Sequence, residues 1–179
     1  VAGAALMVTT FRRLSVEYPG FRTSELLTAS VTLPESDYPS DSAVVRFWER
    51  LREATAALPS VRSAELTTVL PMSWNDQRAT LYVEGERPER PDAAPSAGFR
   101  RVSAGYFQAL DIPVMRGRAF TTADAQDVIA VAVLSERAAQ RYFPRGDAVG
   151  RRLVRGERTL QVVGIVRDVR GNPLTSESP

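Results

Sequence analysis

Between Tyr38 and Val61 the chain reads YPSDSAVVRFWERLREATAALPSV, and no other stretch so narrows what the rest can be. Val44, Phe47, Trp48, Leu51, Ala54 and Leu58 recur at helical spacing and share one face. Arg46, Glu49, Arg50, Arg52 and Glu53 fall mainly on the other. Ser40 or Asp41 can cap the first turn, where backbone N–H groups have no helical partner, and Pro59 stops the helix. A helix with one apolar face needs a surface to cover. The flanks offer it: LLTASVTL (Leu26–Leu33), bounded by Pro34, and VRSAELTTVL (Val61–Leu70) both read as strands. Strand, helix and strand in this order predict a βαβ unit with the helix on one sheet face.

Further along, ATLYVEGE alternates and reads as a strand, and the Pro-rich, charged Glu86–Ser96 as an exposed connection. Ser103 can cap a short helical turn, AGYFQAL, that puts Phe107 and Leu110 on one side. VMRGRAF runs extended to a turn at Thr121–Asp124. IAVAVLS reads as a buried strand, and SERAAQRYF as a helix capped by Ser135 and ended before Pro144. RGDAVGRRL turns into a short extended piece, and TLQVVGIVRDVRG closes as a strand. The first eight residues, VAGAALMV, are apolar, far short of the roughly 20 that cross a bilayer. They suit either a buried element end or the outer end of a membrane helix, with Arg12 and Arg13 at the headgroups. The closing NPLTSESP is polar and uncapped, as in a chain cut from a longer one.

Composition then removes classes of chemistry. The 179 residues contain no cysteine and no histidine, which excludes disulfides, zinc–thiolate sites and Ser-His-Asp or Cys-His devices. All 23 basic residues are arginine, the net charge is only +2, and the pairs Arg12–Arg13, Arg100–Arg101 and Arg151–Arg152 are interleaved with acids. Nucleic-acid binding needs clustered charge instead, so no nucleic-acid partner is expected. Phosphate-binding glycine patterns are absent; GDAVG, with Gly146 and Gly150, is not one.

Carboxylates remain: Glu35, Asp37, Glu84, Asp124, Asp127, Asp147 and Asp168. A hydrolase would need two of them facing across a cleft, and no pair stands out. Asp124 and Asp127 suit caps or Asx-turns, and TADAQD is too sparse for a calcium loop. Asp168 interrupts an apolar strand and is expected to face outward, paired with Arg167 or Arg170. The aromatics Tyr106, Phe107, Phe120, Tyr142 and Phe143 are expected in the core. No catalytic, cofactor-binding or metal-binding residue is assigned, and no cofactor is expected.

The ordered set VSAGYFQALDIPVMRGRAFTTAD, VAVLSERAAQRYFP, GDAVGRRL and VVGIVRDVR resembles the MacB-like periplasmic core domain of ABC transporter permeases in the MacB/FtsX superfamily. LMVTTFRRLSVEYPGF, YPGFRTSELLTASVTLPESDYP and LPSVRSAELTTVLPMS are similar to it as well. The likeness spans nearly the whole chain and is nearest to permeases carrying two such domains, and to the second of them. It implies an α+β fold, with a porter-like mixed α/β subdomain and an inserted β-rich subdomain. It places the end of a transmembrane helix and an entry segment at 1–25, the porter-like part at 26–71 and 121–179, and the insertion at 72–120. It further implies a domain outside the cell membrane, anchored through the full-length protein, that carries ATP-driven movement toward export and does no chemistry. The implied partners are a cytoplasmic ABC ATPase subunit, a second permease copy or domain, and an outer adaptor protein. A stand-alone binding module for a peptide or cell-wall ligand, or a carboxylate-dependent hydrolase, are the rival expectations.

Overall fold

The structure is a computed structural model and describes residues 19–34, 36–73, 77–90, 95–125 and 129–169. The expectations placed on 1–18, Glu35, Asp127 and 170–179 lie outside the described residues. The fold is a mixture of helix and sheet, as the resemblance implied.

Helix α1, Asp41–Ala56, forms where the periodicity put it. Ser40 is its N-cap: its backbone is extended and its hydroxyl accepts from the Ala43 N–H at 3.3 Å. Strands β1 (Arg78–Thr80) and β2 (Tyr82–Val83) follow, then β3 (Ser96–Gly98), the short helix α2 (Tyr106–Ala109) and β4 (Val114–Gly117). A 3₁₀ turn at Thr122–Ala125 precedes β5 (Ala130–Ser135) and α3 (Glu136–Tyr142). Ser135 caps α3 as expected, accepting from the Ala138 N–H. The hairpin β6 (Arg152–Arg155) and β7 (Arg158–Val166) closes the order.

β7 organises the main, five-stranded sheet. β5 runs parallel to it, with α3 in the connection, and β6 pairs with it antiparallel. β4 is also antiparallel to β7, through Val114↔Val166 and Gly117↔Gly164. β2 adds to the far side of β6, and β1 pairs with β3 in a separate two-stranded ribbon. The pairing with β5 slips between Ala132 and Val133, a bulge in β7 around Val163. That slip is why alternation breaks: Val162 is buried, and after Val163 so are Gly164, Ile165 and Val166 in succession.

Two clusters fill the interior. Leu153 and Val162, both at 0% exposure, sit at the centre of the larger, with Val83, Leu134, Tyr142, Phe143 and Ile165 around them. The smaller joins Phe21, Tyr106, Ile112 and Val166, with Phe107, Leu110 and Val169 packed against it. The stretch Val102–Phe120 therefore does build core. Tyr106 is buried, while Phe107 and Phe120 are half-buried and contact each other at 5.7 Å between ring centres. Tyr142 and Phe143 are buried as expected.

The βαβ unit expected over 26–70 is corrected. Residues 26–33 are not in a strand, and Leu27 is 98% exposed. Residues 61–70 make one isolated bridge, Thr67↔Val102, supported by Thr68 N–H to Arg101 O and Ser103 N–H to Leu66 O. No residue of α1 is fully buried. Its aromatics stack locally, Phe47 edge-on to Trp48 at 5.2 Å and to Tyr38 at 5.3 Å. The physical reason lies in β7. One of its edges is taken by β5 and the other by β6 and then β4, so the segments flanking α1 have no place beside it. Side-chain pattern shows that a backbone is extended; it does not show who pairs with it.

Candidate functional site

The carboxylates are dispersed, and each described one that matters is committed to a local contact. Asp147 meets Arg151 at 2.6 Å four residues on, in the turn before β6, and Glu84 lies 3.7 Å from Arg152 beside the β2–β6 pair. Asp37 accepts from its neighbour Ser36 on the surface. Among the described residues no group of carboxylates converges as a metal ion would require.

Asp124 fulfils the expected turn role and adds a clamp. Both of its oxygens accept from the Arg118 guanidinium at 2.7 Å, and Oδ2 also accepts from the Thr121 N–H and hydroxyl. These bonds, led by those from Arg118, hold its carboxyl well below the usual carboxylate range. A depressed folded-state pKa stabilises above the unfolded value, roughly 4, and that stability is lost as pH falls below it. Arg118 is 47% exposed, so solvent screens part of the pair. Asp124→Asn should therefore cost roughly 1–2 kcal/mol at pH 7. In denaturant melts across pH, the gap from the unsubstituted chain should narrow steadily below about pH 4. A gap that stays constant to pH 2 would contradict this assignment.

Asp168 finds a partner other than the expected Arg167; Arg170, the alternative, lies outside the described residues. Asp168 pairs with Arg137: Oδ2 lies 3.3 Å from Nε, and Oδ1 accepts from the Arg137 N–H at 3.1 Å. Consecutive residues of an extended chain point to opposite sides, which turns Arg167 away and sets Asp168 under the first turn of α3. Ser103 is corrected too. The N-cap of α2 is Gly105, with no side-chain bond. The Ser103 hydroxyl instead donates to Glu65 Oε2 at 2.5 Å and accepts from the Leu66 N–H at 2.8 Å. It thus staples residues 65–66 to the start of the GYF turn. Burial pushes the Tyr106 phenol above its ordinary pKa.

The residues that sequence reasoning passed over are Gly20, Phe21 and Arg22. Phe21 is buried in the smaller cluster. The Arg22 backbone N–H donates to Leu110 O at 2.8 Å, and its Nη2 donates to Ala109 O at 2.8 Å. Gly20 has φ +90, and a side-chain carbon there would lie 2.5 Å from Asp168 O. PGFR carried a signal in the Pro-Gly pair, which marks a turn, but its partners lie far along the sequence.

A shallow groove runs between β4 and α3, lined by Met115, Arg116, Glu136, Gln140, Phe143 and Ile165. The Arg116 side chain closes one end by donating to Gly146 O at 2.6 Å. Its one carboxylate, Glu136, faces no second acid in that lining.

What these parts define is a packed α+β domain whose charged side chains tie neighbouring elements together. The chain belongs to the MacB-like periplasmic core domain family, whose model matches residues 4–177. That is a family of extracytoplasmic domains of ABC transporter permeases, not of enzymes. Among solved structures, the periplasmic region of MacB from Actinobacillus actinomycetemcomitans is 20% identical, with a TM-score of 0.51 over 65% of this chain and 49% of that one. The extracellular domain of the noncanonic ABC-type transporter YknZ from Gram-positive bacteria is 16% identical, at TM-score 0.49 over 67% of this chain and 57% of that one. A domain of a putative permease from Porphyromonas gingivalis is 17% identical, at 0.46 over 68% and 46%. The chain thus spans about half the length of these structures. No curated protein matches it.

Proposed function

We propose that this domain is a rigid lever on the outer side of the cell membrane, moved by ATP hydrolysis on a separate cytoplasmic subunit and working in export. The family match over residues 4–177 carries the reading. Two features support it. The interior is filled around Leu153 and Val162, and a close-packed core passes on displacement because it compresses little. Ties such as Arg118–Asp124 and Arg137–Asp168 join charged groups of neighbouring elements and stiffen the joints between them. In the full-length permease the domain is anchored by membrane helices and works against a second permease copy or domain, with an outer adaptor as a further partner. Within it, a porter-like part at 26–71 and 121–179 carries an inserted part at 72–120, to which the β1–β3 ribbon belongs.

The test uses the full-length permease with its ATPase subunit in lipid nanodiscs. A spin label at exposed Glu157, on the β6–β7 turn, is paired with one in the partner permease domain. The 179 residues hold no cysteine, so a cysteine introduced there is unique within them. Trapping the ATP-bound state should change the distance between the labels. An unchanged distance distribution in every nucleotide state would sink the lever reading.

A further inference from the structure

Among the described residues the first, near Gly20, lie against the last, Asp168 and Val169. The contact is backbone on backbone: only a glycine fits at position 20, where any side chain would strike Asp168 O. Around it the bonds close a ring. Residues 20–22 are held to the α2–β4 turn, since the Arg22 N–H donates to Leu110 O and Arg22 Nη2 to Ala109 O. That turn is held to the exit segment, since the Arg167 N–H donates to Pro113 O at 3.1 Å. The exit segment is held to α3 through Asp168 and Arg137. Phe21, Ile112 and Val166, one from each limb, share the small apolar cluster beneath.

One bond in the ring is unmade. Among the described residues Arg22 Nε is buried with no hydrogen-bond partner, and Asp111 Oδ2 lies 3.5 Å away. A buried donor without a partner is costly, and a shift of half an ångström would satisfy it. Asp111 itself is held at φ +52, a left-handed conformation that an aspartate tolerates better than most residues. Coupling between distant sites requires a contact that differs between two states, and this donor–acceptor pair is placed to be one.

We propose that the junction of Gly20–Arg22, Ala109–Pro113 and Arg167–Asp168 is where displacement of the flanking segments enters the domain. Arg22 and Asp111 act there as positioning residues whose Nε–carboxylate bond is made in one state and open in the other. This rests on the lever reading. Pulling the two limbs moves the α2–β4 turn and the end of β7 together, so the sheet is carried as a body.

The same labelled full-length permease provides the test. Arg22→Ala should reduce the nucleotide-driven change in the ratio of the two distance populations about fivefold or more. Arg22→Lys, which keeps the charge and one donor, should restore part of it. Leu134→Ala, in the other cluster, is the stability control: at a matched loss of melting temperature it should keep the full change. If Arg22→Ala responds like the unsubstituted permease, or if Leu134→Ala loses as much as Arg22→Ala, the proposal is overturned. If Arg22→Ala does not assemble, Asp111→Asn, at a side chain 63% exposed, decides between the same outcomes. Should the unsubstituted permease show no nucleotide-driven change, the lever reading fails first and takes this proposal with it.

Discussion

Among the described glycines, Gly164→Ala should be the most damaging change, costing at least about 3 kcal/mol in a urea melt. Gly164 lies in β7 opposite Gly117 of β4. The new methyl would overlap Arg118 O and come within 3.0 Å of that residue's carbonyl carbon. The obstacle is backbone, so no rotamer change relieves it; β4 would have to leave β7. Gly117 adds its own constraint, with φ +70 and Gly164 Cα 2.9 Å from where a Cβ would stand. Gly156, on the β6–β7 turn, provides the contrast. It has φ +59 but nothing within 4 Å, so Gly156→Ala should cost only about 1 kcal/mol of left-handed strain. Equal losses at the two positions would refute the close crossing of β4 and β7.

Leu153→Ala comes next, at roughly 2–5 kcal/mol. Leu153 is 0% exposed, paired with Leu160 of β7 and with Val83 of β2, so its removal leaves a void that strands on both sides must line. Leu27→Ala, at 98% exposure, should stay within about 0.5 kcal/mol. The same chemical change at two leucines then separates interior from surface. A Leu153→Ala loss under about 1 kcal/mol would mean that the larger cluster is not a close-packed core.

Much of the local architecture was legible, for a physical reason. Ser40 and Ser135 announce helix starts because a cap acts within three residues of itself, and the structure places both bonds. IAVAVLS and TLQVVGIV read as strands because β-branched residues bounded by turns leave few other options, and they became β5 and β7. What failed was pairing. LLTASVTL has the right composition for a strand and yet stands unpaired, because the edges of β7 go to partners up to 52 residues away (Val114 with Val166). Asp168 was expected to pair with Arg167 or Arg170; an extended backbone sends the adjacent Arg167 to the opposite side, and Arg137 arrived from α3. The junction at Gly20 was invisible for the same cause. Its meaning depends on Asp168, and nothing in PGFR specifies that neighbour.

The family was legible where single motifs were not. No short pattern in Val102–Phe120 has a chemical meaning of its own. The resemblance rests on the order of several unremarkable segments, GYF turn, β5–α3 and β6–β7, and the family model matches across residues 4–177. A family that is not one of enzymes is under no demand for particular side chains at fixed spacing, and its match here runs along nearly the whole length.

The position of β7 has a consequence for synthesis. Strand β7 is the partner of β4, β5 and β6, and its last paired residue is Val166, near the end of the described chain. As the polypeptide leaves the ribosome, β4 and β5 are therefore made before the strand that joins them exists. Until translation passes that point they present bare backbone edges, which other chains can capture. A chain that stops before Arg158 holds β4, β5 and β6 but lacks the strand that joins them, a sheet with no middle.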